Sequence, residues 1–203
     1  IRTWAFFTII KSLYHNDQIP WKKIVISGHA LDRSGKKISK SAGNFVSPLV
    51  YVEKYGMEGV RYWAAQNQLG TDTRCDEAIM EKGKRLLNKI RNAWKFINGN
   101  GNWGLEDWEP GSPGGTNEEY YIEWIKVAGR LQTYMDHDYN LALTFQTLTD
   151  FFWHTFCDKW IEECKKKPMY DTLWKVFKEM SDWFEYFFPD LTKHLNADQA
   201  NMY

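Results

Sequence analysis

The sequence predicts a mainly α-helical chain, with a short strand and a lysine-rich loop near its start and an antiparallel helical bundle in its second half. Three observations carry this. Apolar residues recur at helical spacing, most clearly at Phe145, Leu148, Phe152, Phe156 and Trp160, then at Trp174, Phe177, Trp183, Phe184 and Phe187. Residues 23–27 alone have the β-branched, turn-bounded character of a buried strand. Glycine, proline and asparagine collect at 99–115, where a linker is expected.

Taken in order, residues 2–14 place Trp4, Phe7, Ile10 and Leu13–Tyr14 at helical spacing, and Ile19-Pro20 closes that element. After strand 23–27, Arg33-Ser34-Gly35 reads as a tight turn. Ser47-Pro48 is an N-cap followed by proline in the first turn, opening a helix to about residue 55 that Gly56 stops. A second short helix is expected over 58–66, a loop over 72–75, and a long helix over 76–97. Thr116-Asn117-Glu118-Glu119 has the form of a capping box, opening a helix to about residue 136. A turn at 137–140 leads to a helix over 141–167, ended by Pro168, and the last clear helix covers 171–187. The expected divisions are 1–47, 48–98, 99–115 and 116–203. The aromatic stripes keep a core-facing period, so they are assigned to the core and not to a base-stacking surface.

The chain has 203 residues, enough for one domain or two small ones, and its 43% hydrophobic and 26% charged content is ordinary for a soluble globular protein. No run approaches the roughly 18 apolar residues of a membrane span. The first residues lack a basic region and a small-residue cleavage site, so no signal peptide is expected, and a start at Ile1 instead of Met reads as a fragment. Cys75, Cys157 and Cys164 have no metal spacing and read as reduced, cytoplasmic thiols; the five histidines add no ligand cluster, so no metal is expected. The zero net charge hides a split. Residues 1–105 carry +9 and residues 106–203 carry −9. Either the first half binds a polyanion, or two oppositely charged surfaces help each other dock.

Two features carry chemistry. Lys36-Lys37-Ile38-Ser39-Lys40-Ser41-Ala42-Gly43-Asn44 offers ammonium groups and hydroxyls in a Gly-flanked loop, which suits a triphosphate. It is not a Walker loop, because Gly28 and Gly35 are too far apart and Lys36 precedes Lys. By itself such a loop is more often an exposed turn. The long helix over 76–97 carries Lys82, Lys84, Arg85, Lys89, Arg91 and Lys95 beside its apolar stripe, with no acid among them.

The flanks decide between these readings. Ser27-Gly28-His29-Ala30-Leu31-Asp32, the turn, Lys37-Ile38-Ser39-Lys40-Ser41, Gly43-Asn44 and Ser47-Pro48 stand in the order of the Lys-Met-Ser-Lys-Ser region of class I aminoacyl-tRNA synthetases. The stretch closely resembles that family, with Ile38 in the Met position. Tyr55-Gly56-Met57-Glu58-Gly59-Val60-Arg61-Tyr62-Trp63 resembles the helix pair after the signature in the valine, isoleucine and leucine enzymes. Ile1-Arg2-Thr3-Trp4, Gly70-Thr71-Asp72-Thr73-Arg74, Asn88-Lys89-Ile90-Arg91-Asn92-Ala93-Trp94 and Phe151-Phe152-Trp153-His154 look most like the valine branch. The resemblance weakens only in the linker and after about Phe188.

This resemblance implies that residues 1–47 are the end of a Rossmann-type catalytic domain and that the later helices bind the anticodon side of tRNA. It implies ATP as a substrate with Mg2+ beside it. Valine, tRNA(Val) and the remainder of a synthetase chain are the other partners, with neither membrane nor DNA. Lys37 and Lys40 would be catalytic, stabilising charge on the pyrophosphate leaving group. Ser39 and Ser41 would hold the loop or donate to phosphate, and Gly28 and His29 would lie beside the adenine. Trp4 is either an amino-acid pocket residue or a plain core tryptophan. Arg74, Lys82, Arg85 and Lys89 would contact tRNA phosphates, and Phe96 either stacks an anticodon base or belongs to the core. The family's His-x-Gly-His element and an editing insertion are absent from this sequence, so the chain alone is expected not to form valyl-adenylate. A relative charging isoleucine and a non-catalytic tRNA-binding helical module stay as alternatives.

Overall fold

The computed structural model describes residues 2–101, 117–137, 139–189 and 191–200. Helix α1 (Arg2–Asn16) is followed by an irregular stretch and strand β1 (Ala30–Leu31), then α2 (Pro48–Ala65), β2 (Thr73–Arg74) and α3 (Glu77–Gly101). Then come α4 (Glu118–Asp136), α5 (Leu141–Asp150), a π-helical stretch (Phe151–Ile161), a last turn α6 (Glu162–Cys164), α7 (Tyr170–Glu185) and α8 (Leu191–Ala200).

The core lies between α3 and the helices that follow. Leu86, Ile90, Trp94 and Ile97 of α3 join Trp124, Phe145, Phe152, Phe156, Trp174 and Phe177 in one buried cluster. The aromatic stripes are therefore packing, as their period required, and α3 contributes to the same core. Trp94 stacks on Phe177 with ring centroids 5.7 Å apart, and its indole N–H donates to the Leu195 carbonyl at 3.1 Å. Both partners lie far along the chain, so this one residue ties α3 to α7 and α8.

A backbone break and a close crossing seat α2 on α3. Gly56 sits at φ 77° and ψ 162°, a backbone region that only glycine enters without strain, and it breaks α2 where the sequence places a stop. The second half of α2 then crosses α3 with glycine facing glycine: a Cβ on Gly83 would stand 2.7 Å from the Tyr62 Cβ and 2.9 Å from the Gly59 Cα.

Five expectations need correction. Residues 23–27 form no strand, and Ile24, Val25 and Ile26 are exposed. A buried parallel strand needs covering layers, and none lies over this stretch among the described residues. The two-stranded sheet forms instead between Ala30–Leu31 and Thr73–Arg74, in parallel register, so part of the expected 72–75 loop is strand. α3 runs through Gly101, past the expected linker start at 99; residues 102–116, the rest of that expected linker and Thr116 of the expected capping box, lie outside the described residues. Asn117 is the N-cap of α4, but its side chain makes no cap bond; its backbone N–H donates to Thr172 Oγ1 at 2.8 Å, so α7 supplies the acceptor instead.

The fifth correction concerns winding. The expected helix over 141–167 turns π-helical for eleven residues. Its buried positions come in pairs, Phe151–Phe152, Phe156–Cys157 and Trp160–Ile161. Pairs spaced five and then four residues apart outrun an α-helical period, and i→i+5 bonding keeps all of them inward.

Candidate functional site

The lysine-rich loop is a short hairpin held by one carboxylate and one amide. Leu31 and Lys37 bridge antiparallel, the Ile38 N–H donates to the Ala30 carbonyl at 3.0 Å, and the Asp32 N–H donates to the Lys36 carbonyl at 2.8 Å. Gly35, at φ 82°, makes the turn. Asp32 Oδ1 accepts from the Ser34 hydroxyl at 2.7 Å and from the Ser34 and Lys36 backbone N–H groups at 2.9 Å each. Asn44 closes the far side: its Nδ2 donates to Asp32 Oδ2 at 2.8 Å and to the Lys37 carbonyl at 3.1 Å, and its Oδ1 accepts from the Ser39 N–H at 3.0 Å. The Ser34 hydroxyl, then Asn44 and the backbone donors, hold the Asp32 carboxyl down at about 2.

This frame presents cations outward. Lys36, Lys37 and Lys40 are exposed, and none forms an ion pair among the described residues. Lys40 lies 5.7 Å above the Phe45 ring. Ser39 Oγ and Ser41 Oγ are 3.3 Å apart, and Ser39 Oγ also accepts from the Ala42 N–H at 3.2 Å, so Ser39 fixes the loop's own bend. Uncompensated ammonium groups on a braced backbone are what a polyphosphate needs.

Gly28 and His29 lie just before β1, packed against the backbone of residues 71–73. A Cβ on Gly28 would fall 1.9 Å from the Thr71 carbonyl oxygen, so no other residue fits that path. The His29 N–H donates to Asp72 Oδ1 at 2.7 Å, and its carbonyl accepts from the Thr73 N–H at 2.9 Å. Both residues line a cavity of about 260 Å³ shared with Trp63, Asn67 and Gln68.

A second cluster, which the sequence did not single out, joins the hairpin to the helices. Glu77, the first residue of α3, accepts from Arg33 of the hairpin turn, from Lys54 at 2.7 Å and from the Tyr55 hydroxyl. Lys54, then Tyr55, lowers the Glu77 carboxyl to about 2, and Glu77 in turn raises Lys54. Lys84, two turns into α3, donates to the Lys54 carbonyl at 2.7 Å. Acid and base here stand 44 residues apart, and no local spacing signals that pairing.

The remaining candidates fall into three groups. Lys82 and Arg85 are exposed on α3 and form no ion pair among the described residues. Lys89, one turn further, is already held by Asp158 at 3.0 Å and lies 4.9 Å over Trp153. Arg74 is exposed beside the Gly35 turn, and its carbonyl accepts from the Trp63 indole at 3.0 Å. Phe96 is half-buried against the core, 6.1 Å from the Tyr170 ring. Trp4 is 57% exposed and stacks flat on Trp21 at 5.2 Å, away from the buried cluster of the described residues.

Comparison with known proteins matches residues 1–76 to the family described as tRNA synthetases class I (I, L, M and V). The chain belongs to the class I aminoacyl-tRNA synthetases. It is 39% identical over 173 residues to a valine--tRNA ligase of Wolbachia pipientis wMel, covering 82% of this chain and 19% of that protein. It is 34% identical over 218 residues to a valine--tRNA ligase of Rickettsia prowazekii (strain Madrid E), covering 96% of this chain and 26% of that protein. The chain thus spans about a quarter or less of the length of these relatives. Its fold is similar to that of the agnB2 LeuRS of Agrobacterium radiobacter K84, solved in a ternary complex with tRNA and LeuAMS, with a TM-score of 0.68 at 17% identity over 95% of this chain and 24% of that one.

Proposed function

We propose that this chain is the part of a valine–tRNA ligase that supplies the phosphate-binding loop and the anticodon-side helices, within an enzyme that activates valine with ATP and transfers it to tRNA(Val). The observation that carries the reading is the hairpin of residues 30–44, which holds Lys37 and Lys40 outward, with no ion-pair partner among the described residues, on a frame fixed by Asp32 and Asn44. The relatives' printed name supports valine over isoleucine.

In this reading residues 1–47 are the end of a Rossmann-type catalytic domain, 48–98 connect it to the first basic helix, and 116–203 complete an antiparallel anticodon-binding bundle. The valine carboxylate attacks the α-phosphate of ATP, the bond to the bridging oxygen breaks, and pyrophosphate leaves with its added negative charge. Lys37 and Lys40 meet that charge, and removing either costs about 3–4 kcal/mol of transition-state stabilisation. Because the frame is already hydrogen-bonded, the lysines need little reorganisation as the charge develops. Ser39 and Ser41 shape the loop, and Gly28 and His29 border the adenine. Mg2+ accompanies ATP as its counter-ion, and no residue of this chain is assigned to it. Trp4, with Trp21 stacked on it, borders the amino-acid pocket. Lys82, Arg85 and Arg74 contact tRNA phosphates, Lys89 joins them only by leaving Asp158, and Phe96 stacks a base only by leaving the core edge.

The exposed apolar residues of the first 47, among them Phe6, Phe7, Val25 and Ile26, fit a half-domain that the remainder of the synthetase covers. The chain alone is then inactive. Valine-dependent ATP–pyrophosphate exchange tests both statements. It is expected from the longer protein, lost about 10²–10³-fold in Lys37→Ala, and absent from the 203-residue chain. Exchange by the chain alone sinks the half-site reading. Salt-sensitive tRNA binding by a longer protein that shows no exchange favours a non-catalytic tRNA-binding module.

A further inference from the structure

Glu77 occupies a position that neither the nucleotide loop nor the tRNA-facing stripe explains. It opens α3, the helix whose later turns carry Lys82 and Arg85. Its two oxygens reach two segments on the far side of the gap from α3: Oε1 takes Arg33, at the tip of the signature hairpin, while Oε2 takes Lys54 and the Tyr55 hydroxyl, in the first half of α2. Tyr55 is the last residue before the Gly56 break. Beyond that break the second half of α2 is locked to α3 by the Gly59–Gly83 crossing, so α3 and residues 57–65 form one packed unit. The hairpin and the first half of α2 form the other side, with a cavity of about 470 Å³ between them lined by Asp32, Ile38, Asn44, Val46, Tyr51 and Cys75. Across that gap the Glu77 cluster ties the hairpin tip to α3, alongside the Lys84 bond to the Lys54 carbonyl and the β1–β2 pairing, and Arg33 comes to it from an 80% exposed position.

From this geometry we infer that Glu77 is a positioning residue for the signature loop, setting through Arg33 where Lys37 and Lys40 stand relative to helix α3. The inference rests on the proposed role of that loop in adenylate formation. Asp32, next to Arg33, is the acceptor that shapes the hairpin, so a shift at Arg33 is carried directly into the frame under Lys37 and Lys40. A loop whose charge matters only as pyrophosphate departs is sensitive to placement in the transition state and much less so in the ground state.

The test uses the longer protein that contains this chain, with Glu77→Gln, Arg33→Met and the double variant. Valine-dependent ATP–pyrophosphate exchange gives kcat and KM for ATP, and tRNA(Val) binding is measured on the same samples. Glu77→Gln is expected to lower kcat about 10–100-fold with KM for ATP changed less than about threefold and tRNA affinity unchanged. Arg33→Met should give a similar loss, and the double variant should be no worse than Glu77→Gln alone. Full kcat in both single variants, or losses that multiply in the double, overturns the inference. A parallel fall in kcat and tRNA affinity also overturns it, since that is the mark of a loosened fold. If Glu77→Gln does not fold, Arg33→Met, at an exposed site, still decides by its kcat. Absence of exchange in the unsubstituted protein counts against the ligase reading itself, separately from the Glu77 tie.

Discussion

The glycine pair at the α2–α3 crossing permits a quantitative prediction. In Gly83→Ala the new methyl would meet the Tyr62 Cβ at 2.7 Å and the Gly59 Cα at 2.9 Å, and neither atom is the end of a flexible side chain. Relief requires the two helices to move apart. Overpacking of this kind costs about 1–3 kcal/mol, and atoms this rigid place it near about 3 kcal/mol. Alanine's better helix propensity returns about 1 kcal/mol, leaving a net loss of about 2 kcal/mol. For a chain of this size that lowers Tm by about 4–8 °C. Gly129 provides the internal control. It lies inside α4, where an added methyl would find nothing within 4 Å, so Gly129→Ala receives only the propensity gain and should raise Tm by about 1–4 °C. Circular dichroism melts of the 203-residue chain and the two variants suffice. A Gly83→Ala protein as stable as the parent, alongside a stabilised Gly129→Ala, would refute the reasoning from close approach.

Three further outcomes follow from the site and the core. Asp32 has a folded pKa of about 2 against an ordinary value of 3.8, so its hold on the hairpin is complete above about pH 4 and is lost as pH falls towards 2; the amide resonances of Ser34 and Lys36 should keep their shifts from pH 7 to 4 and move only below that. Glu179→Ala strips acceptors from the buried Trp124 indole N–H at 2.6 Å and the Tyr121 hydroxyl at 2.9 Å, which should cost about 1–3 kcal/mol in urea unfolding, and an unchanged midpoint would contradict the assigned bonds. Burial pushes the Cys157 thiol up to about 12, so iodoacetamide at pH 8 should label the half-exposed Cys75 well before the buried Cys157, read by peptide mass spectrometry, and equal labelling of the two would contradict the burial.

What the sequence made legible was local chemistry. The helix start at Ser47-Pro48, the stop at Gly56 and the inward aromatic stripes depend on neighbours within a few residues, and each appears where it was expected. The signature loop was readable because its residue types and flanks agree, but the roles of Asp32 and Asn44 were not, since their bonds follow from how the hairpin closes. Strand 23–27 fails for a related reason. Its β-branched residues record an environment buried on both faces, and that environment is made by neighbours, not by the segment. The Glu77 cluster needs residues 33, 54, 55 and 77 to converge, and only the fold supplies that. Lys89 shows the converse: its spacing put it in the basic stripe, while a partner 69 residues away has taken its charge.

The wide winding of residues 151–161 gives that segment slack in its length. Each i→i+5 ring encloses one residue more than an i→i+4 ring, so deleting a single residue there lets the ladder close as ordinary α-helix without losing a backbone bond. The same deletion within α3 or α7 would swing every later side chain off the core. Changes in length during evolution or engineering should therefore be absorbed in this stretch, where the cost falls on how Phe156 and Trp160 pack and leaves the course of the backbone intact.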